Sequence, residues 1–322
     1  MSLAPYVQLL ARGHGRARAL SQVEAAQAMQ IMLSGQAAPE AIGALLMVLR
    51  MRGETAPEIA GFAQAAQAAL PPVPPVDLDW PCYAAGRTRG LPWFLLSARL
   101  VAMAGHRVLL HGWNGADAKI RDGLGAAGIG LHSDPEAITA ALSGPGLVYV
   151  PFETLHPALL DLLRLREVFG LRSCVNTVCR MLNPGHAQAS VQGVFHPSYR
   201  LLQADAASLL GWRALSVIKG GGGEFERHPG KAATCFGLRQ GLAFETVLPA
   251  AITSSTRLSE GALPGTSLAG LWSNQTPDLF AQEVVISTAA LALDTLGDTS
   301  PDATARQLWS NRANLLPSMT GA

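Results

Sequence analysis

The chain has 322 residues, 49% of them hydrophobic and 15% charged. That composition excludes wholesale disorder, and the length accommodates a large α/β domain with a smaller satellite. With 24 Lys+Arg against 23 Asp+Glu the formal charge is only +1, so affinity for a polyanion has to come from local clusters of arginine.

The N-terminal segment lacks the charged start and uninterrupted apolar run of a signal peptide. Arg12, His14, Arg16 and Arg18 alternate there with small residues and form either a short basic patch or a plain exposed turn. A short helix over Pro5 to Leu10 is possible. Ser21-x-x-Glu24 is a capping-box pattern and predicts a helix with Ala25, Met29, Met32 and Leu33 at helical spacing. Pro39 and Glu40 suit a first turn, and Ile42, Leu45, Leu46 and Leu49 form a stripe that stops at Gly53. Thr55-x-x-Glu58 starts a third helix with Ile59 and Phe62 inside. The prolines of PPVPPVD, residues 71–77, exclude a helix and mark a linker.

Beyond the linker the pattern alternates. Arg107 to His111, Leu147 to Pro151, Ser190 to Val194 and Ala214 to Lys219 read as strands separated by helices, which predicts a mainly parallel sheet. The leucine-rich segment Leu155 to Phe169 is apolar over too broad a face for a surface helix and is expected to return to the N-terminal helices. The domains are therefore 1–70 with about 155–185, and 76–154 with 186–322. Apolar runs such as Gly43 to Leu49 and Val284 to Leu293 fall short of the ~18 residues of a membrane span, so no membrane association is expected and the cytosol is the expected compartment. Cys82, Cys174, Cys179 and Cys235 match no zinc or redox spacing and are expected as buried thiols.

The segment Tyr83 to Gly112, YAAGRTRGLPWFLLSARLVAMAGHRVLLHG, reads as small-residue turn, helix and strand, the layout of a loop over a ligand at a sheet's carboxyl edge. This segment, together with LSGQAAPEAIGALLMVLRMRGETAPEIAGFAQA (residues 33–65) and HPALLDLLRLREVFGLRSCVNTVCRMLNP (residues 156–184), resembles the anthranilate phosphoribosyltransferase family. The resemblance runs along essentially the whole chain. It implies a small helical-bundle domain plus a large α/β domain of the nucleoside phosphorylase/phosphoribosyltransferase type, commonly a homodimer through the helical domain.

The family's chemistry implies magnesium on oxygen ligands beside a loop that cradles pyrophosphate, and four places depart from that pattern. GRTRG replaces the glycine-rich GTGGD, and Pro92 to Leu95 replace the hydroxyl-bearing NIST. Leu110-His111-Gly112-Trp113 stands for KHGN. KGGGGEFE puts Phe225 at the metal-binding aspartate and Glu226 at the glutamate. Arg166, which matches the arginine facing the aromatic acid, is retained, as are Asn176, His111, Gly112, Asn183 and Pro184.

The changed positions gain positive charge. Arg87, Arg89, Arg180 and Lys219, with Arg166 and Arg200, are expected to converge on one cleft and bind phosphates without metal or cofactor. HPSYR and GGEFERHP are similar to the YbiB-like branch of the family. That likeness implies binding of nucleic acid, DNA in the first instance, through its phosphates and without base preference.

Each signal has a plainer use. Arg180 suits a structural pairing, and Gly220 to Gly223 suit a flexible turn as well as an anion nest. With no carboxylate or nucleophile nearby, His111 is expected as a structural histidine. Glu224 and Glu226 are expected in surface ion pairs beside Arg227 and His228. Trp80, Trp93 and Trp113 either stack a base or pack the core. The alternatives are an active phosphoribosyltransferase or related glycosyltransferase with an unusual acceptor, supported by Arg166 and Asn176, and a small-molecule phosphate sensor or a partner-binding scaffold without catalysis.

Overall fold

The computed structural model describes residues 2–13, 15–84, 90–195, 199–258 and 265–312. The chain opens with four helices, α1 (Ala4–Ala11), α2 (Gln22–Leu33), α3 (Pro39–Arg52) and α4 (Ala56–Ala68). Both capping boxes form. Ser21 N donates to Glu24 Oε2 (2.8 Å) while Ser21 Oγ accepts from Glu24 N (3.3 Å), and Thr55 N donates to Glu58 Oε2 (2.8 Å). The other oxygen of the buried Glu58 accepts Leu20 N (2.9 Å), tying the start of α4 to the entry of α2. The two helices cross at Gly61, where a Cβ would lie 2.1 Å from Gln22 O, so only glycine allows that approach.

The α/β part then follows: β1 (Leu78–Cys82), α5 (Phe94–Met103), β2 (Val108–Gly112), α6 (Lys119–Ala126), β3 (Gly130–Leu131), α7 (Pro135–Ser143) and β4 (Leu147–Pro151). Next come α8 (Phe152–Leu155), α9 (Pro157–Phe169) and α10 (Val175–Arg180). Here the chain returns to the helical lobe, as its leucines predict. Leu155, Leu159, Leu160 and Leu163 share one core with Leu45, Leu46, Leu49 and Phe62, and His156 Nε2 donates to Ala66 O (3.2 Å). The remainder is β5 (Ala189–Val194), α11 (Tyr199–Leu209), β6 (Ala214–Lys219), β7 (Ala233–Arg239), β8 (Leu242–Leu248), α12 (Leu268–Trp272), α13 (Leu279–Leu296) and α14 (Pro301–Asn311).

The strand order is β3-β4-β2-β1-β5-β6-β7-β8, parallel through β6 and antiparallel at β7 and β8. The last two strands form a hairpin the sequence did not announce. Its turn residues Gln240 and Gly241 have φ of 54° and 81°, the left-handed pair of a tight hairpin turn, but without the usual Asn or Asp. One sheet face, with Leu109, Val148, Val150, Leu215 and Val217, shares its core with the helical lobe. The other, with Leu78, Trp80, Val108 and Leu110, packs on α5 and α13. The sequence expectation of short apolar runs is corrected at α13, an 18-residue helix of mean hydropathy 1.4, long and apolar enough to cross a membrane. In this fold 72% of it is buried, because it is the core helix of that face. All four cysteines are free and buried.

Candidate functional site at the carboxyl edge of the sheet

Successive strands leave β1 toward β2 on one side and β5 toward β6 on the other, so the sheet has its switch point between β1 and β5. These two strands pair only at Leu78–Ala189 and Asp79–Ser190 and then part, opening a crevice at their carboxyl ends. Pro81 lies past the last paired position with β5, where its missing N–H breaks no ladder bond to that neighbour. On the β2 side the crevice wall is tight. A Cβ on Gly112 would lie 1.9 Å from Cys82 O, and Trp113 N donates to that same carbonyl (3.1 Å).

Two buried carboxylates from the turn after β6 reach into this edge. Glu224 Oε1 accepts from Ala84 N (2.8 Å) and from Asn114 Nδ2 (3.1 Å), and Asn114 Nδ2 also donates to Ala84 O (3.1 Å). Glu226 Oε2 accepts from Phe94 N (3.0 Å), the first residue of α5, so a carboxylate already stands at the positive end of that helix. Between them Phe225 turns away into the core, fully buried and edge-on to Trp80 with ring centroids 5.4 Å apart.

Across the crevice, the buried Arg180 donates from Nε to Gly193 O (3.1 Å) and from Nη1 to Asn176 O (2.9 Å) and Oδ1 (2.6 Å). Burial lowers its pKa, and the field of Glu224 opposes that shift. Asn176 Nδ2 in turn donates to Tyr83 O (3.3 Å). Beneath lies a buried chain: Tyr83 OH meets His111 Nδ1 (2.8 Å), His111 Nε2 meets Asp79 Oδ1 (3.0 Å), and Ser190 Oγ donates to Asp79 Oδ2 (2.8 Å). An ionised Asp79 accepts from Nε2–H, which leaves Nδ1 to accept the phenol proton. Burial holds the Tyr83 phenol well above its ordinary range, consistent with a phenol that stays protonated and donates.

Several sequence expectations change here. His111 does have a carboxylate partner, Asp79, which no spacing rule links to it because the two sit on adjacent strands. Glu224 and Glu226, expected at the surface, are instead buried, 0% and 1% exposed, and hold backbone N–H groups. The sequence reading also passed over Asn114, which is 3% exposed and whose Nδ2 donates to Glu224 Oε1 at the crevice.

The glycine run offers few donors for an anion. Gly220 N, Gly221 N and Gly223 N are bound to Val194 O, Glu226 O and Gly220 O. Trp80 and Trp93 pack in the core rather than as stacking platforms, and Trp113 is buried with the Arg164 guanidinium 6.0 Å from its ring.

The expected cations do not all converge. Arg180 is at the crevice but engaged by its neighbours. Arg200 is drawn to β7, donating to Thr234 O (2.9 Å) and lying over Phe236 at 4.6 Å. Lys219 is exposed at the end of β6. Arg166, in the last turn of α9, is half-buried, and its buried Nη1 has no hydrogen-bond partner among the described residues. Arg18 of the N-terminal patch pairs with Glu24, and Arg12 and Arg16 are exposed. Arg87, Arg89 and His14 lie outside the described residues.

The chain is thus built in two parts, a helical bundle beside a mainly parallel sheet with a polar crevice at its switch point. Sequence profiles agree: the glycosyl transferase family, helical bundle domain, matches residues 4–69, and the glycosyl transferase family, a/b domain, matches residues 95–308. The chain belongs to this glycosyl transferase family.

Anthranilate phosphoribosyltransferase of Roseiflexus sp. (strain RS-1) is 32% identical over 231 residues, 69% of this chain and 65% of that protein. The enzyme of that name from Brucella suis biovar 1 is 32% identical over 224 residues, 68% of this chain and 65% of that protein. The chain thus spans just under two thirds of the length of these relatives. The crystal structure of anthranilate phosphoribosyltransferase from Thermus thermophilus superposes with a TM-score of 0.82 at 24% identity, over 98% of this chain and 97% of that one. That from Saccharomyces cerevisiae in complex with PRPP and Mg gives 0.77 at 17%, over 97% and 93%.

Magnesium fits the described residues poorly. Glu224 Oε1 and Glu226 Oε2 are taken up by N–H donors, the residue between them is an aromatic in the core, and no group of three or more His, Cys, Asp or Glu that could hold a metal ion occurs among the described residues.

Proposed function

We propose that this chain is a member of the glycosyl transferase family that binds nucleic acid through its phosphates, as a homodimer, in place of transferring phosphoribose. One observation carries the reading: both carboxylates of the turn after β6 are engaged by backbone N–H groups, and Glu226 stands at the α5 N-terminus where an anionic ligand would sit. The likeness to the YbiB-like branch supports the choice of ligand. So do the cations Lys219 and Arg166 and the arginines Arg87 and Arg89, whose flanking residues Ala84 and Gly90 are tied to Glu224 and Leu258. Exposed apolar side chains on the helical lobe, Met51, Val168 and Val23, support pairing of two copies through that lobe.

Binding to duplex DNA is expected without sequence preference, with a slope of log K on log salt of roughly −4 to −5 if about four to six phosphates are neutralised across a dimer. Sedimentation at micromolar concentration is expected to show the dimer. A slope near zero refutes the nucleic-acid reading. Replacing Arg87 and Arg89 by alanine is expected to weaken all sequences alike.

A second reading is transfer of phosphoribose to an aromatic amine, the activity that names the relatives. It is favoured by the retained Arg166 with its unpartnered nitrogen and by Asn114 in the crevice. Incubation with phosphoribosyl pyrophosphate, magnesium and anthranilate separates the two. No transfer is expected, and turnover of roughly 1 s⁻¹ or more establishes the second reading.

A further inference from the structure

The turn Glu226 to Pro229 binds at every residue. Beyond the Glu226 bond to α5, Arg227 N donates to Thr288 Oγ1 (2.9 Å), and its Nη2 donates to Pro249 O. His228 Nε2 donates to Thr256 O (2.9 Å), and its Nδ1 accepts Gly230 N (3.1 Å). Pro229 O accepts from Ala251 N (2.7 Å) and Ile252 N (3.2 Å). Most of these bonds hold one segment, residues 249–258, which has no helix or strand of its own. Its far end comes to the crevice. Leu258 O accepts from Gly90 N (3.2 Å), and a Cβ on Gly221 would lie 3.2 Å from Leu258 Cδ1.

The His228 ring has a defined job. Nδ1 accepts from a backbone N–H and therefore carries no proton, so the ring is the neutral Nε2–H tautomer, packed edge-on to Phe280 with centroids 5.4 Å apart. Burial lowers its pKa, with a smaller push from Lys231, in keeping with that neutral form. Arg257, exposed, lies between the residue tethered by His228 and the residue bound to Gly90.

We propose that Glu226 to Pro229 form a clasp, with His228 as its positioning residue, that holds residues 249–258 as a strap against Gly90 and Gly221, and that the strap brings Arg257 to the phosphate-binding cleft as a further cation. The part concerning Arg257 rests on the nucleic-acid reading above; the clasp does not.

The test measures amide hydrogen exchange and binding of oligothymidylate in full-length wild type, His228→Ala, His228→Gln, His228→Asn and Arg257→Ala. In His228→Ala the Gly90 and Gly230 amide protons are expected to exchange about tenfold faster, the scale of one hydrogen bond lost from a locally opening segment, and oligothymidylate to bind several-fold more weakly. Glutamine keeps a donor near Nε2 and is expected to restore Gly90 protection and binding. Asparagine keeps only the acceptor toward Gly230 and is expected to restore neither. Arg257→Ala is expected to leave exchange unchanged and to reduce the single-strand salt slope by about 0.7. Unchanged Gly90 protection in His228→Ala overturns the clasp, whatever nucleic acid does. Lost protection in His228→Ala while wild type itself binds neither oligothymidylate nor duplex DNA upholds the clasp and overturns both the nucleic-acid reading and the role of Arg257.

Discussion

Two polar clusters lie at the same edge of the sheet and are built on different principles. Asp79, His111 and Ser190 come from β1, β2 and β5, Tyr83 is the residue just after β1, and each polar group named in that chain finds its partner inside the cluster. Glu224, Glu226 and Asn114 come from loops, and they hold the backbone at Ala84 and Phe94. Asn114 Oδ1 is left buried without a partner among the described residues. The strand cluster closes on itself and so makes scaffold, whereas the loop cluster holds the backbone at Ala84 and Phe94 and so shapes the candidate site. Within the fold it shares with its relatives, this chain uses two buried carboxylates to hold its own loops.

The sharpest way to break this comparison is Phe225→Asp, which restores the residue type that the family resemblance puts at this place. Position 225 points into the apolar core against Trp80, so the substitution buries a charge and removes a packed ring. A loss of at least ~5 kcal/mol is expected in urea unfolding, enough to threaten the fold. A folded variant that acquired magnesium-dependent transfer would show that the turn after β6 can still present a ligand to the crevice.

The scaffold side is tested by Asp79→Ala. It strands His111 and Ser190 in the interior, and a loss of about 3–5 kcal/mol is expected. A loss below about 1 kcal/mol would mean the cluster is not the closed unit described here.

How far the sequence anticipated each cluster follows from how far apart its members lie. The helical lobe was legible because its signals are local: Ser21 to Glu24, Thr55 to Glu58 and the stripe ending at Gly53 all act within one turn. Four parallel strands were legible from their apolar runs. β1 was not, because Asp79 and Pro81 interrupt it, and with β1 unseen the partner of His111 was hidden. The β7–β8 hairpin escaped for want of a typical turn pair at Gln240-Gly241. The acidic pair was visible but assigned to the surface, since spacing alone does not tell a carboxylate that meets solvent from one that caps a distant helix. Asn114 was missed because its partners, Ala84 and Glu224, lie far from it in sequence.

A smaller effect sharpens the site side. Glu226→Ala removes the anion from the α5 N-terminus and is expected to cost about 1–2 kcal/mol. If that carboxylate stands where an anion would bind, the variant should gain thermal stability from added inorganic pyrophosphate while wild type gains less. Equal gains in both proteins would separate Glu226 from the anion position.

The smallest effect comes from the most conspicuous ion pair. Glu24 accepts Arg18 Nη1 and Nη2 at 2.7 Å each, and also Ser21 N (2.8 Å). The Arg18 bonds first, then the Ser21 N–H, hold its pKa down to about 2 from an ordinary 4.5. A folded pKa depressed in this way gives stability that is present above about pH 4.5 and is lost as pH falls toward about 2. The size is limited by solvent, since the Arg18 side chain is 52% exposed, and about 0.5–1 kcal/mol is expected. Wild type should therefore exceed Glu24→Gln by that amount in urea unfolding near neutral pH, with the gap closing in acid. A gap that persists unchanged to about pH 2 would assign the effect to the helix cap instead of the charge. A gap of ~3 kcal/mol or more would place this exposed pair on a par with the buried Asp79 cluster and remove the distinction between scaffold and surface on which the comparison depends.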